Sequence, residues 1–138
     1  MVMRSILIDT NAYAAFKNGA AEATRIISYA PVIGISTIVL GELRSGFAFG
    51  NRESGNLQEL AEFLASARVR IIAVDQEAAR YYANVYRGLR QKGKPIPTND
   101  MWIAATALQH GLAVFSYDGH FGDVDQLITG NLLEKFLY

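Results

Sequence analysis

The sequence predicts an α/β protein whose central parallel β-sheet has four or five short strands, with helices flanking both faces. Short β-branched runs alternate along the chain with longer segments of helical periodicity, and this alternation is typical of parallel βαβ units. The 138 residues, 51% of them hydrophobic and 19% charged, suit one domain with one core, spanning residues 1–138. The chain contains no repeat or linker that would divide it.

The first half of the chain predicts two strands and four helices. The β-branched run at residues 5–8 ends at polar Asp9, as a buried strand does. Pro31 separates a helix from the second strand, because proline interrupts helical hydrogen bonding. The predicted elements are strand 5–8, a helix through residue 16 capped by Asn11 or Thr10 and closed by Asn18-Gly19, helix 21–29, strand 32–35, a helix from the Ser36-Thr37 cap towards residue 49, a loop at 50–55 and helix 56–66.

The second half of the chain predicts three strands and two helices. Two prolines and a glycine between residues 91 and 97 predict a loop, and Gly111 ends the helix that follows it. The predicted elements are strand 69–74, helix 76–90, loop 91–97, helix 100–110 capped by Thr98 or Asn99, strand 113–115, a turn at 117–122 and a short fifth strand at 127–128.

The composition excludes several classes of protein. Thirteen Lys and Arg residues balance thirteen Asp and Glu residues, so contact with a nucleic acid needs a local basic patch. The absence of cysteine excludes disulfides, thiolate zinc sites and a cysteine nucleophile. No apolar run approaches the roughly 20 residues that span a bilayer, and the N-terminal run is too short for a signal peptide. We therefore expect a cytoplasmic protein without membrane association.

Four acidic residues stand in apolar surroundings, unlike the rest. Asp9 and Asp118 each follow a predicted strand. Glu42 and Asp100 lie in helices that are otherwise apolar. In parallel sheets the functional crevice lies beyond the carboxyl ends of the strands, so we expect the four carboxylates to converge there.

A carboxylate cluster without a basic partner favours a metal ion. No Lys or Arg occupies a strand end that matches Asp9. Two carboxylates about 4 Å apart repel by roughly 4 kcal/mol at an effective dielectric constant of 20, and a divalent cation reverses that sign. Carboxylate oxygens suit Mg²⁺ or Mn²⁺ better than Zn²⁺. The pattern therefore predicts a Mg²⁺ or Mn²⁺ site.

Taken singly, most of these acids also have a structural alternative. Asp9 would cap the next helix, Asp100 would interact with the dipole of its own helix, and Asp118 would serve a turn. Glu42 is harder to explain in this way, because a Glu among Ile, Val and Leu side chains needs a partner. The four acids together favour the metal site.

Four segments of the chain form a characteristic pattern through their order and their spacing. They are ILIDTN at residues 6–11, ISTIVLGELRSG at 35–46, PTNDMWIAA at 97–105 and VFSYDGHF at 114–121. In these segments the chain resembles the PIN-domain ribonucleases, and specifically the VapC-type toxins of type II toxin–antitoxin pairs. The resemblance covers nearly the whole chain and implies a PIN-like fold.

The resemblance also implies the roles of individual residues. It implies that Asp9, Asp100 and Asp118 bind the metal ion and that Glu42 is a further catalytic acid. Ser116 and Asn11 match polar positions that support the site, with Ser116 standing where the family has Thr. The chain is more acidic than the family around residues 123–127, and we do not assign those acids to the metal.

The activity that the resemblance implies is Mg²⁺- or Mn²⁺-dependent hydrolysis of RNA phosphodiester bonds. We expect one or two ions to activate water for in-line attack, which leaves 5′-phosphate and 3′-hydroxyl ends. The implied partners are the RNA substrate, a VapB-type antitoxin that places an Arg beside the acids, and a second copy of the chain. His110 and His120 lack the spacing of a Ser-His-Asp triad, so we expect helix-end and loop or packing roles for them.

Binding of RNA also needs cations, and the sequence offers one cluster and one isolated residue as candidates. The cluster precedes the helix of Asp100, and the isolated residue follows Glu42. Phosphate steering and an ordinary solvated face are both open readings for them. The candidates are Arg87, Arg90, Lys92, Lys94 and Arg44.

Two other classes of function are alternatives. A phosphatase with an aspartyl nucleophile would need D-x-D after the first strand, but Asn11 stands at the second acidic position. A non-catalytic domain of the same fold, or a receiver-like domain, would bind only RNA or a protein. A receiver needs an acidic pair at the first strand and a late Lys, and an inert PIN domain should lack acids that this chain keeps.

Overall fold

The computed structural model describes residues 1–138 and contains one sheet of five parallel strands in the order β3-β2-β1-β4-β5. The prediction of a parallel α/β sheet is therefore confirmed. The strands are β1 (Ile6–Ile8), β2 (Ile33–Ser36), β3 (Val69–Ile72), β4 (Ala113–Phe115) and β5 (Thr129–Gly130).

Six α-helices and two 3₁₀ helices connect and cover the strands. None of the α-helices combines the length and the hydropathy that a membrane span needs. The α-helices are α1 (Thr10–Lys17), α2 (Ala21–Tyr29), α3 (Thr37–Phe49), α4 (Glu53–Leu64), α5 (Gln76–Lys92) and α6 (Thr98–His110). The 3₁₀ helices are Gly119–Asp123 and Leu133–Phe136.

The core is centred on β1, which lies between β2 and β4. Every residue of β1, β2 and β4 is buried, as expected for a parallel sheet covered on both faces. Leu7 pairs with Gly34 on one side and with Val114 on the other. A Cβ at Gly34 would lie 2.8 Å from Cδ1 of Ile72, so a larger residue there would displace the Ile72 side chain.

Several element boundaries differ from those that the sequence predicts. Asp9, not Asn11 or Thr10, caps α1, because it ends β1 in an extended conformation and its Oδ1 accepts from the Thr10 amide. Helix α6 begins at Thr98 after Pro97, without a side-chain cap. Helix α4 begins at Glu53, three residues before the predicted start.

The last strand and the C-terminal end of α5 also differ from prediction. Strand β5 is Thr129–Gly130, two residues later than predicted, because Val114 and Ser116 donate to the carbonyls of Ile128 and Gly130. Helix α5 extends to Lys92, where Gly93 ends it in the left-handed region at φ 68°. The predicted turn at 117–122 is largely the first 3₁₀ helix.

Candidate metal centre

The four predicted acids converge at the carboxyl edge of the sheet. Asp9 and Asp118 follow the neighbouring strands β1 and β4, whose last residues are in register. Asp100 lies in the first turn of α6, and Glu42 lies in the second turn of α3. Their charges interact, since Glu42 and Asp118 raise the pKa of Asp9, and Asp9 and Asp118 raise that of Asp100.

Asp9 is the most enclosed of the four carboxylates, with 5% of its surface exposed. Its Oδ1 accepts from the Thr10 amide at 2.8 Å, and its Oδ2 accepts from the Ser116 hydroxyl at 2.6 Å. Burial raises the pKa of Asp9 above its usual range, and these two hydrogen bonds offset part of that effect. Asp9 therefore caps α1 with one oxygen, so its structural and site roles coexist.

Ser116 and Asn11 tie the ends of β1 and β4 together. The Ser116 hydroxyl donates to Asp9 and also accepts from the Asp118 amide at 3.0 Å. Oδ1 of Asn11 accepts from the Tyr117 amide at 3.0 Å. Both side chains thus lie where the sequence places supporting residues, beside the acids that they orient.

Glu42 is held by two residues whose contacts sequence reasoning missed. Its Oε1 accepts from the Thr10 hydroxyl at 2.5 Å, and its Oε2 accepts from Nδ2 of Asn99 at 3.1 Å. Both carboxylate oxygens therefore have fixed partners. Thr10 and Asn99 each adjoin a candidate metal ligand, Asp9 or Asp100, and that adjacency is the signal that could have identified them.

His120 joins two of the acids, although the sequence favours a loop or packing role for it. Its Nδ1 lies 3.1 Å from Oδ2 of Asp100 and 2.9 Å from Oδ1 of Asp118. The hydrogen bond with Asp100 raises the pKa of His120, and Asp118 adds to the effect. Burial raises the pKa of Asp100, while His120 opposes that change. The 3₁₀ turn after Asp118 places His120 here.

The residues present fit a divalent cation. One donor atom each from Asp100, Asp118 and His120 lies within 4.8 Å of the others. No Lys or Arg forms an ion pair with any of the four acids, and His120 is the one basic side chain that contacts them, at Asp100 and Asp118. Carboxylate oxygens and an imidazole nitrogen both ligate divalent metal ions in proteins, so the cluster suits a metal site.

The five basic residues predicted to contact substrate differ in their surroundings. Nζ of Lys92 lies 2.5 Å from Oδ1 of Asp125, and Nζ of Lys94 lies 3.6 Å from Oδ1 of Asp123. These acids belong to the stretch around 123–127, and they partly neutralise the two lysines. The exposed residues Arg44, Arg87 and Arg90 form no ion pair. Contact of all five with RNA stays a prediction.

Comparison with known proteins identifies the family of the chain. Residues 6–127 match the PIN domain family. The chain is 28% identical over 121 residues to ribonuclease VapC4 of Mycobacterium tuberculosis, covering 88% of this chain and 92% of that protein. It is 32% identical over 113 residues to ribonuclease VapC1 of Rickettsia felis, covering 80% and 83% of the two chains.

A solved structure shows the same fold. The crystal structure of VapBC2 from Rickettsia felis, bound to a DNA fragment from their promoter, has a chain that superposes with a TM-score of 0.81. That chain is 27% identical, and the match covers 92% of this protein and 98% of the other. The PIN-like fold implied by the four sequence segments is confirmed. The chain belongs to the PIN domain family and, within it, to the VapC-type ribonuclease toxins.

Proposed function

We propose that this chain is a Mg²⁺- or Mn²⁺-dependent endoribonuclease whose active centre consists of Asp9, Glu42, Asp100 and Asp118. The observation that carries the proposal is the convergence of these acids without a Lys or Arg partner. Buried carboxylates raise the free energy of the metal-free fold, and a fold keeps them when they bind a cation. We assign the activity to one domain over residues 1–138, because its buried apolar side chains form one cluster.

Asp9, Asp100 and Asp118 are the proposed metal ligands. They would hold a divalent ion that would supply Lewis acidity to a water molecule and to the scissile phosphate. The protein contributes a fixed ligand geometry, because Ser116 orients Asp9 and the Asp118 amide is held by the same hydroxyl. Hydrolysis by in-line attack then leaves 5′-phosphate and 3′-hydroxyl ends.

Glu42 and His120 complete the polar lining of the centre. The contacts from Thr10 and Asn99 direct the Glu42 carboxylate without neutralising it, since both donors are uncharged. His120 holds the side chains of Asp100 and Asp118 against each other through Nδ1. We propose that the Glu42 carboxylate lies next to the reacting phosphate and that His120 aligns the side chains of Asp100 and Asp118.

The proposed partners follow from the charge of the site. An RNA backbone is attracted by the unpaired cations Arg44, Arg87 and Arg90, with weaker contributions from Lys92 and Lys94. A VapB-type antitoxin would neutralise the acids with an inserted Arg, which is the charge that the centre lacks. We further propose a homodimer that acts in the cytoplasm, where RNA substrates are found.

The test is cleavage of RNA by the purified chain, with end mapping of the products. We expect cleavage with Mg²⁺ or Mn²⁺, none with EDTA, and a loss of at least about 100-fold in Asp9→Asn and Asp100→Asn. Glu53→Gln is the matched control, because Glu53 is exposed on α4 and makes no ion pair. Cleavage that persists in EDTA or in Asp9→Asn would refute the metal mechanism, whereas RNA binding without cleavage in Mg²⁺ or Mn²⁺ would favour the non-catalytic binding alternative.

A further inference from the structure

A second concave surface lies beside the metal centre, where the end of α5 meets the start of α6. It encloses a cavity of about 300 Å³. The floor is formed by the buried apolar side chains of Leu89, Ile96 and Met101. Tyr86 and Arg90 form its rim. The surface is thus an apolar recess with an aromatic and cationic edge, and of its residues the function proposed above uses only Arg90.

The rim offers a flat ring and a planar cation to a ligand. The Tyr86 side chain is 43% exposed although it lies on a helix that packs against α6. The Arg90 guanidinium lies 5.6 Å from the centre of the Tyr86 ring and donates to its hydroxyl at 3.1 Å. Gly93, at the mouth, has no side chain to narrow the opening, and space around it is free.

The position of the cavity links it to the acids. Met101, in the floor, directly follows Asp100 in the first turn of α6, so the cavity and the metal centre share one turn of helix. Arg87 and Arg90 are three residues apart on α5 and lie on neighbouring positions of its surface, and neither is paired with an acid. Arg90 therefore places an unpaired positive charge at the edge of the cavity, with Arg87 one turn away on the same helix.

We propose that this cavity binds one unpaired nucleobase of the RNA, next to the cleaved phosphate. This inference rests on the proposed function. A volume of about 300 Å³ is at the lower end of small-molecule sites and accommodates a single planar ring system. Single-stranded RNA is recognised by bases that stack on aromatic rings and on Arg guanidinium planes, and Tyr86 and Arg90 offer both. The unpaired Arg90 at the rim, with Arg87 nearby on α5, favours an anionic polymer over a second copy of this electrically neutral chain.

The experiment uses Tyr86→Ala, Tyr86→Phe and the control Tyr29→Ala, which removes an exposed tyrosine outside the cavity. Ala is a good helix former, so the exposed substitution on α5 leaves the fold intact, and thermal melting verifies this. Each protein cleaves a pool of single-stranded RNA with randomised positions in Mg²⁺, and the product ends are sequenced. Binding of the same pool in EDTA is measured by fluorescence anisotropy.

We expect the wild type to prefer particular bases at one position beside the cut. Tyr86→Ala should flatten that preference and lower kcat/KM about tenfold, mainly through KM, while Tyr86→Phe retains both because the ring remains. An unchanged base profile in Tyr86→Ala overturns the proposal while leaving the nuclease function intact. A change of oligomeric state in Tyr86→Ala without a change in RNA preference also overturns it. If the wild type binds RNA through Tyr86 but cleaves none, the cavity assignment stands and the proposed activity fails.

Discussion

The hydroxyl of Ser116 lies 2.6 Å from Oδ2 of Asp9, and this hydrogen bond joins the carboxyl ends of β4 and β1. The same hydroxyl accepts from the Asp118 amide, so one small side chain orients two candidate metal ligands. A hydrogen bond to a carboxylate stabilises its charged form, and it lowers the pKa of Asp9 against the effect of burial. Ser116 therefore influences how readily Asp9 is available as an anion for a cation.

Ser116→Ala should weaken metal binding about 10- to 100-fold, because Asp9 loses its buried hydrogen-bond donor. Ser116→Thr keeps the hydroxyl and should retain most of the affinity. The measurement is a Mg²⁺ or Mn²⁺ titration followed by calorimetry. Equal affinities in Ser116→Ala and the wild type would show that the hydroxyl has no role in positioning Asp9.

Asp9→Asn should make the metal-free protein at least as stable as the metal-free wild type. In Mg²⁺ the wild type should be the more stable of the two, because the variant loses the stabilisation that the metal gives. Because burial raises the pKa of Asp9, its contribution to stability is present below the unfolded value of 3.8 and is lost as pH rises through the folded pKa. At neutral pH the carboxylate thus opposes the metal-free fold, and Asn, which still caps α1, removes that opposition.

Thermal melting in EDTA and in Mg²⁺ tests both expectations. Metal at a hundredfold excess over its Kd stabilises the wild type by about 2.7 kcal/mol, which is a Tm rise of several degrees. The Asn variant should melt at or above the wild-type Tm in EDTA and should not respond to Mg²⁺. A variant that melts lower in EDTA, or that responds fully to Mg²⁺, would contradict the role of Asp9.

The convergence of the four acids could be predicted from the sequence, because it depends on which strands and helices carry the acids and not on the conformations of the loops. Asp9 and Asp118 follow strands, and the carboxyl ends of parallel strands share one edge of the sheet. The positions of Glu42 and Asp100 in helices could also be predicted, since each acid interrupts an apolar stretch. Their joint occurrence carried the prediction, because Asp9, Asp100 and Asp118 each have a local explanation when taken alone.

Contacts that depend on the path of short loops could not be predicted. His120 reaches Asp100 only because a 3₁₀ turn follows Asp118 and folds the ring back over the start of α6. The pairing of Lys92 with Asp125 joins residues far apart in the chain and depends on how that turn continues. Local patterns do not encode such distances, so phosphate contact and a solvated face were both open for the two lysines, and neither of these anticipates the ion pairs with Asp123 and Asp125.

Arg87→Ala should reduce the salt dependence of RNA binding more than Lys94→Ala does. An unpaired cation that contacts phosphate adds about 0.7 to the slope of log K against log salt for a single strand. Lys94 already has an acidic neighbour in Asp123 at 3.6 Å, so its release of counterions on binding is smaller. Anisotropy titrations in EDTA at several salt concentrations measure the slopes. A slope in Arg87→Ala equal to that of the wild type would remove Arg87 from the phosphate contacts, and equal reductions in both variants would show that the ion pair with Asp123 has no effect on Lys94.

Tyr13→Phe should raise the free energy of unfolding relative to the wild type, and this difference should grow as the pH rises. The Tyr13 hydroxyl is buried beside the Phe63 ring and has no hydrogen-bond partner. Burial, with a smaller effect of Glu59, raises the pKa of Tyr13 from 10.0 to about 12. Its contribution to stability is thus present below pH 10 and is lost as pH rises towards 12.

Urea unfolding at pH 7 and pH 11 measures the effect of Tyr13→Phe, with the exposed substitution Tyr29→Phe as control. At pH 7 the variant should match the wild type or exceed it by up to about 1 kcal/mol, because an unsatisfied hydroxyl is removed. At pH 11 the difference should grow by about 1.4 kcal/mol, the equivalent of one pK unit. A difference that is the same at both pH values would mean that Tyr13 ionises as easily in the folded protein as in the unfolded chain, and that its hydroxyl is hydrated.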